Sequence, residues 1–245
     1  MSTFWHTKPA RDSDVYATTC LLLHTPHLSQ EEIIVKSMTL VLAAAVLAAT
    51  ATPVLAASNI AVPTAATAPS VDPRSDDTTF DPAAIAQLGW NSTQSRDANE
   101  ETTARISTDG KFIYVRFDAA QNERIASESV TGASSDGDLV WIDLQPGANA
   151  PSYRFVANPS GASGATASGS SAAPAFTAAG ATYDGGYTVT MKIPLAQLSG
   201  AQSGSWSAQF GRTVHATGQQ FVWSHDGNVA QAGTLTMPAS VGVAP

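Results

Sequence analysis

The sequence predicts an all-β fold, a single antiparallel β-sandwich of the jelly-roll type, and three observations lead to this prediction. Between Thr102 and Leu144, apolar and polar residues alternate, which is the pattern of strands that are buried on one face. Similar short segments recur as far as Met237, separated by turns rich in Gly, Asn and Asp. No segment shows a sustained helical period, so a helical layer is not expected.

The composition favours a packed, acidic domain. Of the 245 residues, 43% are hydrophobic and 13% are charged, so the chain can bury a core. The formal net charge of −8 argues against binding to nucleic acid and equally against binding to an anionic membrane surface. Cys20 is the only cysteine, which excludes an intrachain disulfide.

An export signal is expected behind a non-native extension. Residues 1–34 show no sustained periodicity, and we interpret them as an extension from a mis-assigned translation start. Residues 35–56 contain Lys36, then the apolar run Met38–Ala49, and end in small residues, which is the pattern of a secretory signal peptide. The run is too short for a stable anchor, so we expect cleavage near Ala56 and a secreted or periplasmic protein without a membrane span.

The mature chain is predicted to consist of a leader and one folded domain. Residues 57–78 are rich in Ala, Pro, Thr and Ser, which favours a flexible leader. The β-sandwich is expected to occupy residues 79–245. Its first element is predicted to be a short helix within residues 81–90, with Asp81 as the N-cap and Pro82 in the first turn.

The first hairpin and a later strand carry the most distinctive side chains. Asp109-Gly110 is a tight-turn signal, because glycine adopts positive φ without steric cost. The residues expected to face the core are Ile113, Val115, Phe117, Val140, Ile142 and Leu144. Tyr114, Arg116, Trp141 and Asp143 then lie on outward faces, where an aromatic ring, a guanidinium and a carboxylate can hold a polar, ring-shaped ligand.

Later segments complete the predicted sandwich. Residues 159–173 are a low-complexity run of Ser, Gly and Ala, and we expect a flexible loop there. The remaining predicted strands are residues 152–158, 175–184, 187–194, 205–214, 219–224 and 233–237.

The order of several short motifs resembles the family 9 carbohydrate-binding module and its DOMON-like relatives, over Thr102–Met237. Tyr187 and Thr190 stand where that family usually has Trp and Glu. The resemblance implies a β-sandwich that binds sugars without catalysis, in some members with structural calcium. The motifs that carry it are Ile113-Tyr114-Val115, Asp136 with Asp138, Asn158-Pro159-Ser160-Gly161, Ile193-Pro194, Phe210-Gly211-Arg212 and Trp223.

The predicted carbohydrate site is centred on Trp141, whose ring can stack on the C–H-rich face of a pyranose. Packing of this tryptophan beneath a loop is the alternative interpretation, because tryptophan is highly buried on average. Trp223 is either a core residue or one wall of an aromatic clamp. The predicted polar contacts are Tyr114, Arg116, Asp143 and Arg154, for which a cross-strand ion pair is the alternative.

The sequence contains candidate ligands for two cofactors, calcium and haem. Asp136 and Asp138 have oxygen ligands at a spacing that calcium could use, with a solvated turn as the alternative. Some DOMON-like relatives hold haem through Met with His or Lys, and Met191 with His215 would be the candidates here. No Gly-x-Ser-x-Gly or His-Glu-x-x-His motif is present, so an enzyme is not expected.

Three functions are therefore carried forward. The first is non-catalytic binding of a polysaccharide or oligosaccharide by an exported β-sandwich, in association with glycan-degrading enzymes. The second is a structural or interaction domain of the cell envelope, with an envelope protein as its partner. The third is a haem-binding, DOMON-like cytochrome.

The export signal makes the first testable prediction. When the full chain is produced in a secreting bacterial host, the exported protein should begin at Ala57, because small residues precede that position. The N-terminal sequence and intact mass of the exported protein check this, and an exported protein that keeps Met38–Ala49 would contradict it.

Overall fold

The alternating segments of the sequence form strands. The computed structural model describes residues 58–75, 78–169, 171–226 and 229–241. Two short 3-10 turns, at Thr78–Phe80 and Leu195–Gln197, interrupt the strands. The strands are β1 (Asn59–Ala61), β2 (Ala84–Gln87), β3 (Trp90–Asn91), β4 (Arg96–Asp97), β5 (Thr102–Thr108), β6 (Phe112–Ala120), β7 (Val130–Thr131), β8 (Ser134–Ser135), β9 (Leu139–Gln145), β10 (Tyr153–Ala157), β11 (Ser163–Ala167), β12 (Thr177–Tyr183), β13 (Gly186–Pro194), β14 (Gly204–Val214), β15 (Gln219–Val222) and β16 (Gly233–Met237).

Two sheets and one small hairpin contain all of these strands. The nine-stranded sheet has the order β11-β10-β9-β14-β15-β3-β4, and β16 joins it beside β14 and carries β1. The five-stranded sheet has the order β12-β13-β6-β5-β2, and β7 pairs with β8. Neighbouring strands are antiparallel except for β1 and β16, which are parallel. Nowhere in the described ranges is there a helix with the length and hydrophobicity of a membrane span.

The principal core lies between the two sheets, and it confirms the predicted alternation. Val115 and Phe117 of β6 and Val140 and Ile142 of β9 are completely buried in one cluster. Because successive residues of a strand point to opposite faces, the intervening residues lie on the outer faces of the sandwich. The all-β antiparallel sandwich is therefore confirmed.

The hairpin between β5 and β6 forms where the sequence predicts it. Gly110 has φ +86°, a conformation that favours glycine. The Asp109 carboxylate accepts hydrogen bonds from the backbone N–H groups of Lys111 and Phe112, at 2.9 and 2.8 Å. The turn fixes the register in which Thr108 lies opposite Ile113.

The segment expected to be a flexible leader contains ordered structure instead. Asn59–Ala61 pairs with β16, and the N–H of Val62 donates to the carbonyl of Thr236 at 2.9 Å. Ile60 and Val62 are buried in the principal core. The sequence predicts a flexible leader over residues 57–78 because a strand of three residues is too short to give a periodic signal. The structure differs from this prediction at β1.

The expected helix within residues 81–90 is wrong. Ala84–Gln87 is extended and pairs with β5, and Ala86 and Leu88 are completely buried. The free edge of β5 offers backbone partners to this segment, and such tertiary pairing overrides helix propensity. Asp81 and Pro82 precede the strand as an exposed turn.

The expected flexible loop at residues 159–173 is wrong in part. Ser163–Ala167 forms β11, which pairs with β10 at the edge of the nine-stranded sheet. The Asn158 side chain organises the preceding turn, because its Oδ1 accepts hydrogen bonds from the N–H groups of Ser160 and Ala162 at 3.0 and 2.9 Å. The sequence does not indicate this strand, because its small side chains bury little surface and show no alternation of apolar and polar residues.

One charged side chain crosses the core. Arg212 of β14 is completely buried, and its Nη2 lies 3.0 Å from Glu100 Oε2. Its Nη1 donates to the Thr102 hydroxyl at 2.8 Å and to the Ala120 carbonyl at 2.7 Å. Since Thr102 and Ala120 belong to β5 and β6, this guanidinium joins the two sheets.

Removal of this guanidinium should destabilise the sandwich. We expect Arg212→Ala to lower the free energy of unfolding by about 3–5 kcal/mol, because it leaves Glu100 buried without its partner charge. Arg105→Ala, which breaks a partly exposed ion pair with Asp118, should cost no more than about 1 kcal/mol. Urea unfolding measures both, and equal midpoints for the two variants would contradict the assigned role of Arg212.

Candidate functional site

The outer face of the nine-stranded sheet carries an apolar row that runs across the strands. The register places Val156 opposite Trp141, Trp141 opposite Gly211, and Gly211 opposite Val222. Trp90 of β3 lies opposite Val222 and continues the row. Four of these side chains are buried in a small cluster with Leu139, separate from the principal core. The members of this outer row are therefore held together on the face that points away from the sandwich.

Gly211 provides the seat for the Trp141 indole. A Cβ atom at position 211 would lie 2.0 Å from Cζ2 and 2.2 Å from Cε2 of Trp141, which is far inside contact distance. Only a glycine allows the ring to lie against the backbone of β14 here. Trp141 consequently points outward, as the alternation predicts, yet it is only 8% exposed.

Arg154 covers the Trp141 ring. Its guanidinium carbon lies 4.6 Å from the indole centroid, in cation–π geometry. Its Nε and Nη2 donate to the two oxygens of Asp143, both at 2.6 Å, as a bidentate pair between β10 and β9. The hydrogen bonds that Arg154 donates to Asp143 raise the pKa of Arg154, so the guanidinium stays charged. The arginine is thus fixed in direction but remains 44% exposed at its side chain.

A polar row runs beside the apolar one. Thr166 lies opposite Arg154, Arg154 opposite Asp143, and Asp143 opposite Gln209. All members of the two rows except Gly211 and Trp90 line an open groove of about 1030 Å³ on the outer face of this sheet. Other side chains that line the groove are Ser134, Ser135, Leu139, Thr213 and Gln220.

Two contacts border this outer face. Trp90 stacks on His225 with ring centroids 4.4 Å apart and an interplanar angle of 10°. At the β11 end, a Cβ atom on Gly164 would lie 2.0 Å from the Gly132 carbonyl oxygen, so the β7–β8 hairpin packs tightly on that strand. The groove is therefore walled at its β11 end by a hairpin.

The chain resembles several solved structures, among them the following three. A candidate carbohydrate-binding protein from Bacteroides uniformis has a TM-score of 0.60 and 13% sequence identity, covering 75% of this chain and 100% of its own. A family 9 carbohydrate-binding module from Caldicellulosiruptor kristjanssonii in complex with glucose has a TM-score of 0.50 and 14% identity, covering 74% and 96%. The structure of such a module from the same organism with cellotriose has a TM-score of 0.50 and 14% identity, covering 77% and 98%. This chain has the fold of the family 9 carbohydrate-binding modules.

The family 9 fold agrees with the resemblance that the order of the motifs indicates. At the level of sequence, no protein-family profile and no curated protein matches the chain. The fold is consequently established by the arrangement of strands and not by sequence identity.

Within this family 9 fold, the predicted site residues are divided between two opposite faces. Trp141, Asp143 and Arg154 meet on the nine-stranded sheet, where Arg154 and Asp143 form the cross-strand pair that was the alternative interpretation. Tyr114 and Arg116 belong to β6 of the five-stranded sheet. The prediction of a single site that contains all five residues is therefore wrong.

Tyr114 has a structural role at the β5–β6 hairpin. It is 1% exposed, lies in a cluster with Phe80 and Ala83, and its hydroxyl donates to Asp109 Oδ2 at 2.8 Å. Burial and this hydrogen bond raise the pKa of Tyr114. Burial opposes ionisation of Asp109, but bonds from Phe112, Lys111 and Tyr114 outweigh burial and lower its pKa. Tyr114 is consequently not available to a ligand.

Trp223 lies in the principal core and does not form a wall beside Trp141. Its ring packs edge-on against Phe210, with centroids 5.4 Å apart and an interplanar angle of 76°. The core alternative is the one that the structure supports for this residue.

The candidate cofactor residues lie apart from the groove. Asp138 is completely buried, and its carboxylate accepts hydrogen bonds from the N–H groups of Ala126 and His215, at 2.6 and 2.8 Å. Asp136 is exposed, and within the described ranges no three His, Cys, Asp or Glu side chains gather into a metal-binding group. Met191 is completely buried in the principal core, whereas His215 is exposed.

Several groove residues are missed by sequence reasoning. Gln209, Val156 and Val222 line the groove, and Gly211 lies against the Trp141 ring, only because the register sets them beside Trp141 and Asp143. The one signal that could have found them is Gly211 itself, because a glycine within a strand often marks a close approach.

The contact between Gly211 and Trp141 can be tested directly. We expect Gly211→Ala to displace the indole and to lower the free energy of unfolding by about 1–3 kcal/mol, as overpacking does. Gly147→Ala is the control, because a Cβ at position 147 meets no atom within 4 Å. Tryptophan emission should shift to longer wavelength only in Gly211→Ala, and identical spectra for both variants would contradict the contact.

Proposed function

We propose that this chain is an exported, non-catalytic carbohydrate-binding protein whose ligand lies along the groove of the nine-stranded sheet. The observation that carries the proposal is Arg154, which is held by Asp143 and Trp141 at the edge of a groove of about 1030 Å³. The Nη1 atom of Arg154 has no hydrogen-bond partner among the described residues and can donate to a ligand hydroxyl.

The two rows match the chemistry of a saccharide. A pyranose presents apolar C–H groups on its ring faces and hydroxyls around its rim, so it needs apolar contact and hydrogen bonds side by side. Here Arg154 and Asp143 supply the hydrogen bonds, and the apolar contact comes from the exposed parts of Trp141 and Leu139, which are 8% and 6% exposed. The groove lining extends from Thr166 of β11 to Val222 of β15, across five strands, which corresponds to about 19 Å at about 4.8 Å per strand. A groove of that length accommodates more than one sugar ring.

The role proposed for Trp141 differs from the sequence-based expectation. One face of its indole lies against Gly211, and Arg154 lies over the ring, so the tryptophan serves as a platform for the arginine. A guanidinium that is already oriented loses less freedom when it binds a ligand, which favours affinity. Direct stacking of a sugar on Trp141 is not part of this proposal.

The structural neighbours support the choice of ligand class. Two of them are family 9 modules in complex with glucose and with cellotriose, and these modules share the fold of this chain. We therefore propose neutral saccharides as the first compounds to test. Binding by a single domain of this kind is expected in about the micromolar to millimolar range.

The decisive experiment is a binding titration with the chain that begins at Ala57. Isothermal titration calorimetry with glucose, cellotriose and other neutral oligosaccharides should detect binding. We expect Arg154→Met to weaken it by about tenfold to a hundredfold, because a hydrogen bond from a charged donor contributes about 1.5–3 kcal/mol. Arg96→Met is the matched control, because Arg96 is an exposed arginine of the same sheet that does not line the groove.

The outcomes separate the candidate functions. Loss of affinity in Arg154→Met but not in Arg96→Met supports the groove as the binding site. Absence of binding to the whole panel overturns the carbohydrate proposal and favours the envelope interaction domain. A Soret band in the purified protein would instead favour the haem-binding alternative.

A further inference from the structure

The outer face of the five-stranded sheet carries Tyr183, the one exposed residue among the Phe, Tyr and Trp residues that the structure describes. Tyr183, at the end of β12, is 51% exposed, whereas Trp141 is only 8% exposed. Tyr183 lies opposite Gly186 across the β12–β13 turn. A Cβ on Gly186 would lie 2.8 Å from the Tyr183 hydroxyl and 2.9 Å from Cζ, so the ring rests against the backbone of β13. An aromatic ring that rests on a glycine and stays exposed is a stacking platform.

Hydrogen-bonding groups surround this ring. Arg105 and Arg116 both bind the Asp118 carboxylate, Arg116 through Nε at 3.2 Å. The Thr188 hydroxyl donates to the same carboxylate at 2.9 Å. Together with Tyr183, the two arginines and Asp118 line a hollow of about 380 Å³. Each arginine keeps N–H groups with no partner among the described residues, so donors and an acceptor are already oriented beside the tyrosine.

The charges around this hollow favour a neutral ligand. Glu101 also lines it, so the two guanidinium groups are balanced by two carboxylates. A balanced set of donors and acceptors suits hydroxyl groups, which both donate and accept, better than it suits an anion or a cation. Burial and the nearby Asp118 carboxylate raise the pKa of Tyr183, so its hydroxyl keeps its proton.

The tyrosine also lines a second hollow on the same part of the surface. This hollow measures about 500 Å³, and its polar lining includes Gln121, Asn122, Glu123 and Asp184. Tyr183 thus lies where the two hollows meet. A ligand that stacks on the ring can extend into both, which favours an oligosaccharide over a single sugar.

We propose a second saccharide site on the outer face of the five-stranded sheet, with Tyr183 as the stacking platform and Arg105, Arg116 and Asp118 as the polar contacts. The ligand class is a neutral oligosaccharide, and this choice rests on the carbohydrate function proposed above. The two sites lie on opposite faces of the sandwich, so one protein molecule can bind two glycan chains at once.

The number of sites per chain tests this proposal. The probes are neutral trisaccharides that include cellotriose, with trigalacturonic acid as an anionic counterpart of the same length. Equilibrium dialysis at saturating concentration should give two bound trisaccharides per wild-type chain and one for Tyr183→Ala. Ile85→Ala is the matched control, because Ile85 is an exposed apolar residue of the same sheet that lines neither hollow. Thermal unfolding verifies that each variant is folded.

Further variants distinguish failure of this site from failure of the groove. Arg154→Met should remove the other site, and the double variant should bind nothing. Tyr183→Phe should retain the second site, since the ring face is kept, whereas Arg116→Gln should weaken it at least about tenfold.

Each outcome decides one proposal. The second site is overturned, and the groove stands, in either of two cases. In the first, Tyr183→Ala still binds two trisaccharides per chain. In the second, the wild-type chain binds only one, and Arg154→Met abolishes that binding. The groove is overturned, and the second site stands, if the wild-type chain binds one trisaccharide, Tyr183→Ala abolishes this binding and Arg154→Met leaves it unchanged. Tighter binding of trigalacturonic acid than of every neutral trisaccharide overturns the neutral-ligand assignment.

Discussion

The buried Arg212 guanidinium is the interaction on which the arrangement of the two sheets depends. Arg212 belongs to β14 of the nine-stranded sheet. Its guanidinium bonds with Thr102 of β5 and Ala120 of β6 in the five-stranded sheet, and with Glu100, which precedes β5. Tyr187 and Phe221 lie against it, with ring centroids 5.4 and 5.6 Å from its Cζ atom. A buried charge needs compensating hydrogen bonds, which Nη1 and Nη2 make here, so the partners of these two atoms must keep their positions. Apolar contacts alone would allow the two sheets to shift relative to each other, whereas the directional hydrogen bonds of Arg212 do not.

The same stretch of β14 also organises the outer groove. Gly211 precedes Arg212, and because strand residues alternate, one serves the outside and the other the inside. The arginine joins the sheets, and the glycine leaves room for the Trp141 indole, which in turn supports Arg154. The motif Phe210-Gly211-Arg212 therefore connects the stability of the sandwich with the geometry of its candidate binding face. Any side chain larger than glycine would break that connection.

The sequence contained enough information for the fold class and for the face on which most side chains lie. Alternation correctly separates Val140 and Ile142 from Trp141 and Asp143, since it depends only on the period of a strand. Alternation does not say which sheet a strand joins, and for that reason the sequence-based prediction groups Tyr114 and Arg116 with residues on the opposite face. Strand β11 has no signal in the sequence because Ser, Gly and Ala give no apolar contrast, although β10 provides its backbone partners.

The parallel pairing of β1 with β16 has a mechanical consequence. The polypeptide enters the sandwich at Asn59, beside Thr234, and the paired strands then run in the same direction to Ala61 and Thr236. If the domain were pulled from these two strands, tension would act along them, and the hydrogen bonds between them would be loaded in shear. Bonds in shear must break together, whereas bonds that are peeled open break one after another. The parallel pairing therefore protects the domain from unravelling when tension acts along these two strands.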